Sequence, residues 1–232
     1  MARFIPRLYL DLEISANTEI IFSKEQSHYL CNVMRKKVGD ELLIFNPRGE
    51  WKVIISLESK SACQAKVVEL TRKPVLCKSL SLYFSPIKQN TEFIIQKATE
   101  LGVNEIYPIE FNHTIIHKLN MEKLHKIAIE AAEQSERLTI PNIHDMVKFH
   151  DLSVNEKIIV CSEKRNYPHL NDLLNTTDSY YAVMIGPEGG FSDKEFKIMN
   201  ENNHFVFATL SHNVLRSDTA VVVALGCCQA VL

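Results

Sequence analysis

From Glu41 onward, the first third of the chain alternates short apolar runs with polar turns. ELLIF is followed by the turn residues Asn46, Pro47, Arg48 and Gly49, then by WKVIISLE, a polar break and ACQAKVVEL. This spacing predicts a meander of short strands, and so a small barrel. Ahead of it, Ser23 and Gln26 form a capping-box signature for a helix running through Tyr29, Leu30 and Met34 and ending before Gly39. The texture changes after Thr71, Arg72, Lys73 and Pro74, so the expected domains are 1–73 and 74–232. Strand-like and helix-like segments then alternate. LSLYF precedes a helix with Phe93, Ile94, Lys97, Ala98 and Leu101 at helical spacing, closed by Gly102. EIYPI, a helix from about Met121 to Gln134, KIIVC, a short helix near Leu170 and YYAVMI follow, then a helix after Ser192, FVFATL and a terminal helix. Such alternation predicts an α/β fold on a largely parallel sheet covered by helices.

Composition narrows this picture only in places. With 232 residues and 46% hydrophobic content, each domain has enough apolar residues for a core, and disorder is excluded. The N-terminus, MARFIPRLYL, lacks the apolar core of a signal peptide, so a cytoplasmic protein is expected. The apolar stretch Thr219 to Leu232 is too short to cross about 30 Å of hydrocarbon and reads as a buried terminal helix. The six cysteines show no zinc-ligand spacing and read as reduced thiols. His113 and His117 flank Thr114, Ile115 and Ile116, which favour a strand rather than a helical ligand pair, so no metal is expected. A net charge of -2 gives no support to an RNA partner, but the charge is uneven. Residues 1–73 hold 12 Lys and Arg against 9 Asp and Glu, whereas the remainder holds 14 against 19, so the first third is the part suited to phosphate. Arg35, Lys36 and Lys37 cluster where cations suit a helix C-terminus; phosphate contact is the alternative reading.

Ligands of open parallel sheets bind beyond the C-terminal ends of the strands, which directs attention to the residues after YYAVMI and FVFATL. The first segment, Gly186 to Phe191, holds three of the chain's seven glycines and enters a helix through a Ser192 and Glu195 capping box, with Phe191 and Phe196 at staple positions. Glycine permits positive φ or close backbone approach, and a strand-to-helix turn needs it for purely structural reasons too. Neither nucleotide-binding glycine fingerprint is satisfied, and Glu188 argues against a polyphosphate. The second segment, SHNVLRSDTA, places Arg216, Ser217, Asp218 and Thr219 at the start of an apolar helix. Ser or Asp there is explained by capping, but Arg216 gains nothing from the helix dipole and needs another partner, either Asp218 or a substrate. His212, inside this loop, is the most plausible ligand-facing histidine.

IGPEGGFSDKE and VLRSDTA, with IPRLY, HYLCNVMRKKVGD, TEFIIQKATELGV and AAEQSERLTIP in the same order, resemble the SPOUT methyltransferases, in particular the ribosomal RNA small subunit methyltransferase E family. The resemblance implies a PUA-like RNA-binding barrel over 1–73 and an α/β domain over 74–232 whose C-terminal section is a trefoil knot. It implies S-adenosylmethionine as cofactor, held by Ile185, Gly186, Glu188, Gly189, Leu210, Ser211, Val214, Leu215 and Thr219. It further implies a homodimer, and a product methylated at N3 of a uridine in 16S ribosomal RNA of the small subunit. Arg7 and Arg216 are the expected catalytic cations, with Glu188, Asp218 or water taking the proton, and Arg3, Arg7, Arg35, Lys36 and Lys37 are the expected RNA contacts. The chain departs from the family pattern at Ser211 and His212, where relatives carry Gly-Pro, at Asp218 for Glu, and at Glu136 for a glycine before Arg137. An RNA-binding ribosome-assembly factor of the same fold, without methyl transfer, is the alternative those departures raise.

Overall fold

The structure, a computed structural model, describes residues 5–59, 62–74, 79–164, 166–175 and 180–232. The chain divides into two units, Met1–Leu76 with Glu136–Thr139, and Cys77–Ser135 with Ile140–Leu232.

In the first unit, β1 (Arg7–Tyr9) and β2 (Glu19–Ile21) precede helix α1 (Lys24–His28); β3 (Glu41–Asn46), β4 (Gly49–Leu57) and β5 (Gln64–Arg72) follow. They form one sheet in the order β1-β3-β4-β5-β2. Because side chains alternate across a strand, Leu42 and Ile44 of β3 and Trp51, Val53 and Ile55 of β4 share a core with Ala65 and Val67 of β5. Register shifts between β4 and β5 curl the sheet. The Asn46 side chain accepts the Arg48 N–H at 2.8 Å and closes the β3–β4 turn. Ser23 and Gln26 cap α1 reciprocally, but the helix soon widens into a π-helical turn, Tyr29–Val33, and stops with Arg35 at φ +54°. A non-glycine residue in that left-handed region stores strain of about 1–2 kcal/mol.

A charged group is sealed into this unit. Arg7 Nε donates to Glu50 Oε2 at 2.6 Å with both side chains about 95% buried, and the guanidinium lies 4.2 Å from the Phe45 ring centroid. Thr71 Oγ1 donates to the other Glu50 oxygen at 3.1 Å, and Arg7 Nη2 reaches the Arg137 carbonyl at 3.3 Å. Arg72 Nη1 donates to the Glu136 carbonyl at 2.9 Å, so two arginines hold the 136–139 segment. Glu136 itself sits at φ +57°, two residues past the helix that ends at Gln134. A left-handed residue after a helix is the usual place for glycine.

The second unit runs β6 (Ser79–Phe84), α2 (Thr91–Glu100), β7 (Glu105–Glu110), α3 (Met121–Gln134), β8 (Asn142–Ile143), β9 (Val147–Lys148) and β10 (Ile158–Cys161). It continues through α4 (Leu170–Leu173), β11 (Tyr180–Ile185), α5 (Asp193–Asn200), β12 (Phe205–Ala208) and α6 (Ser217–Gln229). All its strand pairs are parallel, in the order β12-β10-β11-β6-β7-β8, with β9 on the far end of β7. The central strands are buried on both faces, which is why they read as continuous apolar runs. One face packs on α2, α3 and α6 through Leu82, Ile106, Val183, Ile94, Ala128 and Leu225; the other meets Met199 of α5 through Tyr83, Met184 and Phe207. Thr114, Ile115 and Ile116, expected to favour a strand, instead lie in extended chain that follows a turn after β7. Thr114 Oγ1 accepts the Phe111 N–H at 2.8 Å, and this local hydrogen bond outcompetes ladder formation.

β12 lies at the edge of the sheet, and α6, which follows it, packs back on β11 and α2. Among the described residues no helix is long and apolar enough to cross a membrane.

Glu50→Ala would leave the buried Arg7 guanidinium without its counter-charge, at a cost of about 3–5 kcal/mol. Trp51, the chain's single tryptophan, lies in the same core and reports on it. Its fluorescence should show a large fall in urea midpoint for the variant; an unchanged midpoint would show that the pair does not hold this unit.

Candidate functional site

Since every strand of the second sheet points the same way, the sheet order places the C-terminal end of β10 between those of β12 and β11. A cavity of about 520 Å³ opens there, lined by residues 161–163, 185–188, 190, 191, 196, 209–211, 213–217 and 220. That volume is typical of small-molecule sites.

Backbone pairing aligns the loops. The Thr209 N–H donates to the Pro168 carbonyl and the Thr209 carbonyl accepts the Leu170 N–H, both at 2.9 Å. His169 completes the join: its Nδ1 accepts the Asn171 N–H at 3.3 Å, so Nε2 carries the proton and donates to the Leu210 carbonyl at 3.0 Å. The Ser217 hydroxyl, in the first turn of α6, donates to the Gly186 carbonyl at 3.3 Å and ties the third loop to the second.

The glycine turn is packed on its outer side. A Cβ on Gly186 would lie 2.8 Å from the Phe191 ring, so this glycine serves close packing, while Gly190 supplies a positive φ of +72°. Phe191 meets Phe196 edge-on at 5.6 Å, as the staple positions predict, and also meets Phe111 at 5.1 Å. The capping box forms, and the buried Glu195 carboxylate accepts the Ser192 and Asn112 N–H groups, both at 2.7 Å. His113 Nδ1–H donates to the Gly189 and Gly190 carbonyls at 3.1 and 3.0 Å. The 111–114 turn is therefore the brace of the glycine turn.

Of the expected ligand contacts, Ile185, Gly186, Glu188, Leu210, Ser211, Val214, Leu215 and Arg216 line the cavity. Gly189 does not; it faces His113. Thr219 also stays outside, with its N–H and hydroxyl turned to Asp218. His212, expected to face a ligand, is exposed and off the cavity, while Asn213 beside it is a lining residue. Ser211 Oγ accepts the Asn213 N–H at 3.1 Å and stabilises the departing stretch locally.

Asp218 is not the partner of Arg216. It accepts Asn90 Nδ2 at 2.5 Å and the Thr219 N–H at 2.7 Å. Arg216 is exposed and occupies the N-cap position of α6; its carbonyl accepts the Ala220 N–H at 2.8 Å, while its guanidinium has no hydrogen bond or ion pair among the described residues. Its cationic head beside a helix N-terminus thus has no local compensation.

Arg7 lies in the first unit, in the buried pair with Glu50. Lys36 Nζ donates to the Glu41 carbonyl at 3.3 Å, the Lys37 N–H caps onto Asp40 at 3.0 Å, and Arg35 takes the left-handed turn. Arg3 lies outside the described residues. Sequence reasoning missed Cys161, Ser162 and Glu163, although the strand-end rule it applied to two strands applies equally to KIIVC. Burial pushes the Cys161 thiol well above its ordinary pKa, so it forms a neutral wall and not a nucleophile.

Residues 75–229 match the family model for an RNA methyltransferase domain, and residues 22–68 match that for an RNA methyltransferase PUA domain. The ribosomal RNA small subunit methyltransferase E of Rickettsia conorii is 31% identical, over 95% of this chain and 93% of that protein. Its counterpart in Bacillus subtilis is 28% identical over 87% and 86%. A methyltransferase structure from Legionella pneumophila with bound S-adenosylmethionine has 25% identity and a TM-score of 0.86, covering 98% of each chain. The Neisseria gonorrhoeae methyltransferase E structure, at 23% identity and a TM-score of 0.87 over 98% of each chain, has the same fold.

His113→Ala would remove the donor shared by two carbonyls of the glycine turn, worth about 1 kcal/mol. Amide exchange over residues 186–191 should accelerate about fivefold, with the β6 and β11 amides unchanged. Hydrogen-exchange mass spectrometry decides this, and unaltered exchange in the turn would remove His113 as its brace.

Proposed function

Since the chain belongs to the ribosomal RNA small subunit methyltransferase E family, we propose that it methylates N3 of a uridine in 16S ribosomal RNA, using S-adenosylmethionine. The observation that carries this reading is the cavity at three adjacent strand ends, with Arg216 uncompensated on its wall. The lining suits the cofactor. Its volume fits a small molecule, and the Glu163 and Glu188 carboxylates, without partners among the described residues, suit a ligand bearing positive charge. Ile185, Gly186, Glu188, Leu210, Ser211, Val214 and Leu215 would hold it; Gly189 and Thr219 act from behind through the turn and the helix start.

The cofactor supplies a methyl group already activated by its sulfonium charge. The chain must then position the base and stabilise the charge that develops on it. Uridine N3 carries a proton, and as that proton leaves, negative charge spreads to the flanking carbonyl oxygens. The Arg216 guanidinium is available to receive that charge. Asp218, engaged by Asn90 and Thr219, is less suited to take the proton than the unpartnered Glu188. Arg7 is assigned to the stability of the first unit and not to catalysis, because its guanidinium is buried against Glu50. The PUA unit, with Arg35, Lys36 and Lys37 exposed or half-exposed at the π-helical turn, would contact RNA phosphates. The proposed substrate is the ribosomal RNA or the small subunit itself, and such a substrate supports a cytoplasmic location.

A homodimer is supported by α6, which is apolar on nearly every side. A shallow groove lined by Val222, Val223, Gly226, Cys227, Ala230 and Val231 runs along it. A Cβ on Gly226 would meet nothing within 4 Å. Gly226→Arg should therefore leave the fold intact and shift the protein from dimer to monomer in analytical ultracentrifugation; a dimer that persists would place the interface elsewhere.

Mass spectrometry of 16S ribosomal RNA tests the activity. Cells lacking the protein should lose one N3-methyluridine, wild type should restore it, and Arg216→Ala should lower the transfer rate by about 100- to 1,000-fold. Persistence of the methyl group in the deletion strain would overturn the assignment.

A further inference from the structure

Three charged side chains line the cavity: Arg216, Glu188 and Glu163. Glu163 follows β10, the middle of the three strand ends, and the sequence reading gave it no part. It makes no ion pair or hydrogen bond among the described residues. The adjacent cation does not neutralise it, because Lys164 lays its ammonium 3.7 Å from the centroid of the Phe196 ring. Across the glycine turn, a Cβ on Gly190 would lie 3.7 Å from Glu163 Oε1, so the missing side chain keeps the carboxylate's surroundings open.

Resting on the methyl-donor reading above, we propose that Glu163 makes the cavity prefer the cationic donor to its spent product. The donor carries a sulfonium, an ammonium and one carboxylate, for a net charge of +1. After transfer the sulfonium becomes a neutral thioether, and the net charge is zero. The two molecules differ by one methyl and one charge, so a lining charge is the direct way to tell them apart. A carboxylate fixed on the wall attracts the donor more than the product and assists exchange after each turnover. A general base would make a different mark: it would change the pH profile of transfer and leave the ratio of the two affinities alone.

Calorimetry with S-adenosylmethionine and S-adenosylhomocysteine tests this on the full chain, with wild type, Glu163→Gln and Glu163→Lys. For one partly solvated charge the donor-to-product affinity ratio should fall about three- to fivefold in Glu163→Gln. The loss should lie in donor affinity, with product affinity held, and Glu163→Lys should lower the ratio further. The wild-type ratio should also shrink at high salt. Equal thermal melting of the variants confirms that an exposed substitution has not disturbed the fold. An unchanged ratio in Glu163→Gln, or a change produced only by Glu188→Gln, overturns the assignment to Glu163. If wild type binds neither ligand, the methyl-donor reading itself falls.

Discussion

The pairing of Thr209 with the 168–170 segment is the constraint on which the site depends. It joins the connection after β12 to the connection after β10, two neighbouring strands of the sheet. Without it the 209–217 loop would have no fixed relation to the glycine turn, and Ser217 would not reach the Gly186 carbonyl. Here three loops, distant in sequence, meet at one cavity, two of them joined through the backbone and the third tied on by the Ser217 hydroxyl.

This dependence on backbone explains how the chain accommodates its departures. Ser211 keeps its loop in shape through the Asn213 N–H, and His212 stands off the cavity. The glycine turn follows a similar logic. Gly186 is required by the Phe191 ring and Gly190 by its positive φ, and His113 and Glu195 brace the turn from outside. Both accounts of those glycines are correct at once: the turn needs them to pack, and the packed turn forms a cavity wall.

The charges divide by burial. Arg7 and Glu50 are both desolvated, satisfy each other and serve the first unit, whereas Arg216, Glu163 and Glu188 keep their charges on an open wall. A buried pair is costly to break. An unpaired exposed charge contributes little to stability, so three of them around one cavity are better explained by what they meet there.

Much of this was legible in the sequence. Period-2 and 3.6-residue patterns identify the long elements, from ELLIF to the terminal helix, and capping boxes at Ser23 and Ser192 mark two helix starts where the structure has them. The glycine turn and Arg216 stand out because their residue types are hard to explain by local structure alone. The two- and three-residue strands β1, β2, β8 and β9 are too short to carry a period, and the β-branched run Thr114, Ile115 and Ile116 follows a turn that the Thr114 side-chain hydrogen bond closes. Sheet order is not a local property, so nothing in KIIVC shows that its end lies between two other loops or that Glu163 lines the cavity they share. For the same reason the sequence offers Arg7 and Arg216 as equals. Only the tertiary structure separates them, because burial against Glu50 is decided by contacts 43 residues apart, and exposure at the cavity by the order of strands in the sheet.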